Sequence, residues 1–367
     1  MRISYKTAES VAEGHPDKIA DQISDGIVDA ALRQDKKARV AVETLVARDK
    51  IVLAGEVTSR KPIPYKKIAR GVIEKIGYTK PAWGFWYKSP IYVFVHQQSP
   101  DIAQGVDAGG AGDQGVMVGY ASGETTNLMP LPISLAHALV RGMDNARKLG
   151  KIPYLRPDGK SQVVLRYRNS QVEGIERLIL AVPHDPAIDL KQVLEDLVKE
   201  VITPILEAHK LSINRENIIV NGTGKWEIGG PASDSGLTGR KIVVDAYGPE
   251  VSVGGGAFSG KDPTKVDRSA AYACRFLAKN IVAQGLARRC LVSVAYVIGR
   301  REPLMRNIDC FGTERKSLKT IRDFADKLLT LEPPQILEKL KLRQPIYQDT
   351  AYYGHFGKKG KPWEEIW

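Results

Sequence analysis

Apolar residues recur along the chain with two periods. Ile19, Ile23 and Ile27, flanked by Ala20, Ala30 and Ala31, return every fourth position, the spacing of one helix face. Pro16 suits the first turn of such a helix, where its missing N–H would have no partner anyway. The pattern therefore predicts a helix of about five turns from that proline. The same period predicts helices over Tyr65 to Ile76, Pro132 to Leu149, Asp189 to His209 and Val266 to Leu286. Strands are predicted at Arg39 to Ala47, Ile51 to Val57, Ile91 to His96, Val116 to Ala121, Gln162 to Arg168, Glu176 to Val182, Asn217 to Val220 and Leu291 to Ile298. Each third of the chain offers strands plus one or two helices, which predicts a repeated α/β unit, although no residue-level repeat is visible.

Glu43 and Glu56 interrupt two of these apolar strands. A carboxylate there faces solvent or meets a cation or ligand, because burying it unpaired is costly.

Between the periodic segments lie glycine-rich stretches. Gly254-Gly255-Gly256-Ala257-Phe258-Ser259-Gly260-Lys261-Asp262-Pro263-Thr264-Lys265-Val266-Asp267 runs straight into a predicted helix. Glycines let backbone amides approach a ligand, and the two lysines supply cations, which together point to a polyphosphate. Gly255 to Lys261 meets most of a P-loop pattern, but Asp262 stands where a Ser or Thr should hold Mg²⁺, and Pro263 follows at once. Gly110-Ala111-Gly112-Asp113-Gln114-Gly115 reads literally as GxGxxG, yet a strand pattern follows it rather than a helix. A dinucleotide fold is therefore not expected there, and Asp113 stands out as an acid in a ligand-accessible loop. His15 and Asp17 sit at the start of the first predicted helix, where the backbone field favours anions. Between Asn221 and Lys241, Trp226 offers a platform for a planar base, and Arg240-Lys241 adds two cations.

With 367 residues the chain is long enough for two or three α/β-sized units. Its 43% apolar and 26% charged residues are those of an ordinary globular protein. No apolar run reaches the length of a membrane span and the first residues lack a signal-peptide core, so a cytoplasmic protein is expected. Cys274, Cys290 and Cys310 form no CxxC pair, which favours buried thiols over disulfides or a zinc site. The net charge of +12 admits nucleic acid, anionic lipid or a polyanionic small substrate. The cations are spread along the chain without a basic tail, so charge alone does not choose among them.

Set together, Lys160, Arg240, Lys241, Lys261 and Lys265 face Asp17, Asp113, Asp234 and Asp267, with His15. Several cations, carboxylates and an aromatic platform suit a nucleoside polyphosphate with Mg²⁺, since hard cations prefer carboxylate and phosphate oxygens. Residue chemistry leaves the second substrate open. A kinase or NTPase built on the near-P-loop and a basic nucleic-acid-binding module remain alternatives at this point.

The motifs Glu13 to Lys18 (EGHPDK), Gly110 to Gly115 (GAGDQG), Arg156 to Lys160 (RPDGK), Leu237 to Lys241 (LTGRK) and Gly254 to Asp262 (GGGAFSGKD) resemble the signatures of S-adenosylmethionine synthetases. They occur in matching order from about residue 4 to the C-terminus. The resemblance implies an α/β (α+β) fold of three similar α/β domains around a pseudo-threefold axis, covering 2–100, 109–228 and 229–366. It implies ATP and L-methionine as substrates, no nucleic-acid or membrane partner, and a homodimer or homotetramer with active sites between subunits. The methionine sulfur would attack C5′ of ATP, and the released triphosphate would be hydrolysed to pyrophosphate and phosphate.

By motif position, His15 would sit by the C5′–oxygen bond, while Lys160, Arg240, Lys241, Lys261 and Lys265 would hold the polyphosphate and adjoining substrate groups. Asp113 would join this catalytic set. Asp113, Asp234, Glu56 and Gln98 would line the nucleoside and methionine sites, Lys265 would also reach methionine, and Trp226 would stack on adenine. Asp17 and Asp267 would hold Mg²⁺, two ions per site, and Glu43 one K⁺. The chain departs from the family pattern in Trp226 and Val118, where Phe is usual, in Ala232-Ser233 before Asp234, and in a shorter segment between Gln98 and Asp113.

Overall fold

The computed structural model describes residues 2–97 and 109–367. Three long helices organise it, and each begins close to where its apolar period begins. Helix α1 spans Pro16–Gln34, α2 Tyr65–Ile76, α3 Leu131–Lys148, α4 Leu190–Leu197, α5 Thr203–Ala208, α6 Ile242–Asp245 and α7 Val266–Ala283. Two shorter helices near the C-terminus, α8 (Leu318–Leu328) and α9 (Pro333–Lys339), are not signalled by the periodicity above. The expected single helix from Asp189 to His209 is interrupted by a π-helical turn, Val198–Ile202. Pro204 supplies the reason, because it has no N–H to donate and its ring crowds the preceding turn, so the helix widens ahead of it.

The strands are β1 (Ile3–Val11), β2 (Arg39–Ala47), β3 (Lys50–Thr58), β4 (Ile91–His96), β5 (Gly115–Ser122), β6 (Lys160–Arg168), β7 (Gln171–Ala181), β8 (Ile218–Val220), β9 (Gly236–Leu237), β10 (Arg289–Tyr296) and β11 (Met305–Asp309). They form three sheets, ordered β1-β6-β7-β8, β11-β10-β5 and β4-β3-β2-β9. The pairs β3–β4 and β7–β8 are parallel and the others antiparallel.

One long helix packs on each sheet: α1 on the sheet of β2, α3 on that of β1 and β6, and α7 on that of β5 and β10. The strand preceding each helix is lent to the next layer. Thus β1 precedes α1 but joins the sheet under α3, β5 precedes α3 but joins the sheet under α7, and β9 precedes α7 but joins the sheet under α1. This cyclic exchange ties three similar α/β layers into one body, the arrangement expected of a pseudo-threefold fold. The buried core follows it. One apolar cluster joins the layers of α1 and α7 through residues such as Ile19, Val42, Phe276 and Val292, and a second fills the layer of α3 with Leu135, Val163 and Leu178.

Candidate active site

The site begins at the start of α1. His15 caps the helix in an extended conformation (φ −61°, ψ 139°), and its Nδ1 accepts the backbone N–H of Asp17 at 3.2 Å. The ring is only 3% exposed. Burial first, then the neighbouring Lys241, lowers its pKa from 6.5 to about 3. His15 is therefore neutral at physiological pH, and because Nδ1 accepts, the ring proton resides on Nε2. The motif thus delivers a neutral N–H donor at a helix N-terminus.

Asp17 follows in the first turn of the helix. Its Oδ1 accepts the Leu237 N–H at 3.0 Å, its Oδ2 pairs with the Lys241 ammonium, and the Arg240 guanidinium stands 3.9 Å away. Burial pushes the carboxyl up, but Lys241 and the Leu237 amide outweigh it and hold the pKa below the usual range. Lys160 begins β6 opposite Val11 of β1 and contributes to the positive field at His15. His15, Asp17, Lys160, Arg240 and Lys241, drawn from three separate motifs, are therefore brought together by the β1–β6 and β2–β9 pairings.

A second group forms around Lys261. Its ammonium pairs with Asp267 Oδ2 at 2.5 Å, and that of Lys265 pairs with Asp262 Oδ2 at 2.5 Å. Burial alone would raise the Asp262 carboxyl, but Lys265 above all brings it below its ordinary value. The glycines of this loop do less for a ligand than expected. A Cβ on Gly254 would meet the Val116 carbonyl, one on Gly256 would meet the Asp267 carboxylate, and Gly260 has φ 82° against the Val42 carbonyl. Close packing against β2, β5 and α7 therefore requires three of these glycines, while Gly255 borders open space.

The two groups lie along one strand. On β2, Leu45 pairs with Leu237 and Ala41 bridges to Lys261. Leu45 and Ala41 are four residues, about 13 Å, apart along that strand. Ala41 also stands opposite Glu56, which in turn pairs with His96, so Lys261, Glu56 and His96 share one row across the sheet. His96 Nε2 is 3.4 Å from Glu56 Oε1. The next row on the same face carries Glu43, Ala54 and Phe94. Both interrupting carboxylates thus lie on the outward face, beside the cations.

Trp226 is half-buried, and its indole N–H donates to the Ile228 carbonyl at 2.7 Å. The segment running from Trp226 to the exposed Asp234 is anchored by Asp158, which accepts the N–H groups of Gly230 (2.8 Å) and Gly159 (2.7 Å). Burial raises the Asp158 carboxyl to about 6, the two amides opposing it. Asp113 is exposed two residues before Gly115, which abuts Asp267. Gln98 lies outside the described residues.

Sequence reasoning overlooked the groups beneath this surface: Lys18, Asp21, Asp25, Asp158, Asp262 and Arg268 are all buried. A signal was present, since Asp17, Asp21, Asp25 and Asp29 recur every fourth residue, the period of one helix face. An acidic face on a helix otherwise so apolar calls for partners.

Arg240 and Lys241 beside Asp17, Lys261 beside Asp267 and the buried His15 give a surface whose chemistry suits a polyanion with hard cations, as a nucleotide-using enzyme needs. Family models for the N-terminal, central and C-terminal domains of S-adenosylmethionine synthetase match residues 4–100, 108–226 and 228–365. An S-adenosylmethionine synthase of Thermus thermophilus is 46% identical over an alignment of 375 positions, covering 98% of this chain and 95% of that protein. The S-adenosylmethionine synthase of Desulforudis audaxviator is 47% identical over 377, with the same coverage. The chain belongs to the S-adenosylmethionine synthetase family. It is a methionine adenosyltransferase, and its reaction forms S-adenosylmethionine from ATP and methionine. No helix among the described residues is long and apolar enough to cross a membrane.

Proposed function

We propose that the two cation groups described above form the polyphosphate site of this adenosyl transfer, with His15 at the reacting carbon. The observation that carries the reading is the buried His15 at the start of α1, its Nδ1 taken by the Asp17 N–H, with Lys160, Arg240 and Lys241 gathered around the His15–Asp17 pair. A sulfur lone pair of methionine attacks C5′, the C5′–O bond breaks, and the electron pair leaves with the triphosphate. Charge then grows on the departing oxygen. A preorganised N–H and fixed ammonium groups stabilise that charge without reorganising. A neutral donor serves here because it needs no buried cation of its own.

The residue roles in this reading are those of the matching motif positions. Lys160, Arg240, Lys241, Lys261 and Lys265 hold the triphosphate through displacement and hydrolysis, with Lys265 also close to the methionine carboxylate. Asp113, Asp234 and Glu56 line the nucleoside and methionine sites, and Trp226 offers its face to adenine. The carboxylates of Asp17 and Asp267 suit Mg²⁺, which is held by one or two carboxylates together with phosphate oxygens. In the structure each is paired with a lysine ammonium, Lys241 and Lys261, so both positions already accommodate a cation. Mg²⁺ bound there neutralises phosphate charge, and Glu43 offers its carboxylate to K⁺.

A second copy of the chain completes the site in this reading. The outward face of the β4-β3-β2-β9 sheet exposes Leu45, Tyr92, Phe94 and Leu237, Phe94 at 64%, in adjoining rows. Contiguous apolar surface of this kind marks an association site. Its rows end at Lys261 and at Glu43, so a homodimer closing on it would bring the two cation groups of different copies around one substrate.

Incubating the protein with ATP, methionine, Mg²⁺ and K⁺ tests the reading. A sulfonium nucleoside should accumulate together with pyrophosphate and phosphate. ADP as product, or turnover without methionine, would overturn it.

A further inference from the structure

Helix α1 carries an aspartate at each of four successive turns, and each holds backbone from a distant part of the chain. Asp17 accepts the N–H of Leu237, and Asp21 that of Gly239 at 2.8 Å. Asp25 accepts the N–H of Gly260 at 2.9 Å, and Asp29 those of Tyr347 and Gln348, both at 3.0 Å. The middle two grip the backbones of the two loops that carry Arg240-Lys241 and Lys261. One helical turn, about 5.4 Å, therefore separates the points at which these loops are held.

Asp25 does more than accept one amide. The Arg268 guanidinium donates to both of its oxygens at 2.7 and 2.6 Å, and the other arm, Nη1, donates to the carbonyl of Lys261 at 2.7 Å. Asp25 and Arg268 are fully buried, and the guanidinium lies over the Tyr347 ring at 4.4 Å. Asp262, the next residue of the loop, accepts the Val40 N–H at 2.7 Å and the Thr264 hydroxyl at 2.6 Å. The Gly260 N–H and the Lys261 carbonyl are thus both held by buried charged groups, Asp25 and Arg268. Asp21 is treated similarly, with Lys18 bridging it at 2.7 Å to Asp245.

We infer that Asp25 and Arg268 are positioning residues for Lys261, fixing where its ammonium meets the substrate polyphosphate, and that Asp21 with Lys18 does the same for the Arg240-Lys241 loop. None of the four belongs to the substrate-contacting set proposed above; they act through the backbone. Loss of the clamp leaves the cations present but free to wander. A displacement of about 1 Å at such a group costs a large part of its effect. The inference rests on the assignment of Lys261 to the polyphosphate.

The informative variant is Arg268→Lys, which keeps a buried cation for Asp25 but lacks the second arm that reaches the Lys261 carbonyl. Binding of inorganic pyrophosphate and of adenosine is measured by calorimetry, alongside kcat and both KM values. Pyrophosphate affinity and kcat should each fall about tenfold, the scale of a lost charged hydrogen bond. Adenosine affinity should stay within about twofold, since none of the residues assigned above to the nucleoside lies on this loop. Should Arg268→Lys not fold, the double variant Asp25→Asn with Arg268→Gln leaves no unpaired buried charge and is expected to show the same split.

Equal weakening of pyrophosphate and adenosine would reduce the pair to a structural role, and unchanged values for both would remove even that. Lys261→Ala measured in parallel separates the two levels. If it loses pyrophosphate affinity while the Arg268 variants do not, the positioning inference fails alone. If Lys261→Ala itself binds pyrophosphate normally, the underlying assignment fails.

Discussion

Replacing His15 by Asn isolates the cost of keeping an imidazole neutral at this site. Asparagine retains a side-chain oxygen to accept the Asp17 N–H, so the helix cap survives while the titrating group disappears. The native His15 pKa is lowered from 6.5 to about 3, so between those values the unfolded chain binds a proton that the native protein refuses. The group's contribution is complete above pH 6.5 and is lost as pH falls towards 3. At about pH 5 the linkage relation gives about 2 kcal/mol of stability lost relative to about pH 8. The variant, lacking the group, escapes that loss.

Urea unfolding of both proteins at a series of pH values gives the difference directly, and the other titrating carboxylates cancel in the comparison. The stability of His15→Asn relative to the parent should rise by about 2 kcal/mol from about pH 8 to about pH 5. A flat difference would show that the native imidazole titrates normally. In that case the account in which burial and Lys241 keep the His15 ring neutral through mild acid would fall with it.

Lys261→Ala should lower kcat by about 10²-fold or more, the scale of removing one preorganised electrostatic group; turnover near that of the parent in a coupled phosphate assay would make the lysine a plain surface charge. Phe94→Asp places a charge on the exposed apolar sheet face, and light scattering should then report the 40.4 kDa mass of one chain together with loss of activity. An unchanged larger assembly would remove that face from the interface. Gly119→Ala drives a Cβ into the Arg275 amide nitrogen, where β5 crosses α7. Backbone cannot yield as a side chain can, so the variant should lose at least about 3 kcal/mol of stability; an unchanged melting temperature would refute the close packing.

The long helices were legible because each has a clear apolar face, and the start of α1 falls at the proline expected to open it. The break at Val198–Ile202 was not, since apolar spacing reports which face is buried and says little about a local change of pitch. The short C-terminal helices were missed, and so was β1, whose place lies far along the chain beside β6. At the site, the residue types of all five motifs could be read directly. Glycines at 254, 256 and 260 could not be told from a ligand cradle, because tight packing and ligand approach require the same residue.

What the amino-acid order alone determines here is local: the helix faces, the cap at His15, and the charged residue types a polyphosphate requires. Which charges meet was decided only by tertiary structure. Arg240 and Lys241 reach Asp17 because β9 pairs with β2, and Lys261 joins the row of Glu56 through its bridge to Ala41 on the same strand. The depressed pKa of His15 likewise exists only once burial and Lys241 act on it together. Desolvation and Coulomb interaction depend on distances in the folded chain, across sequence gaps such as the 220 residues between Asp17 and Leu237. Periodicity carries no record of those distances.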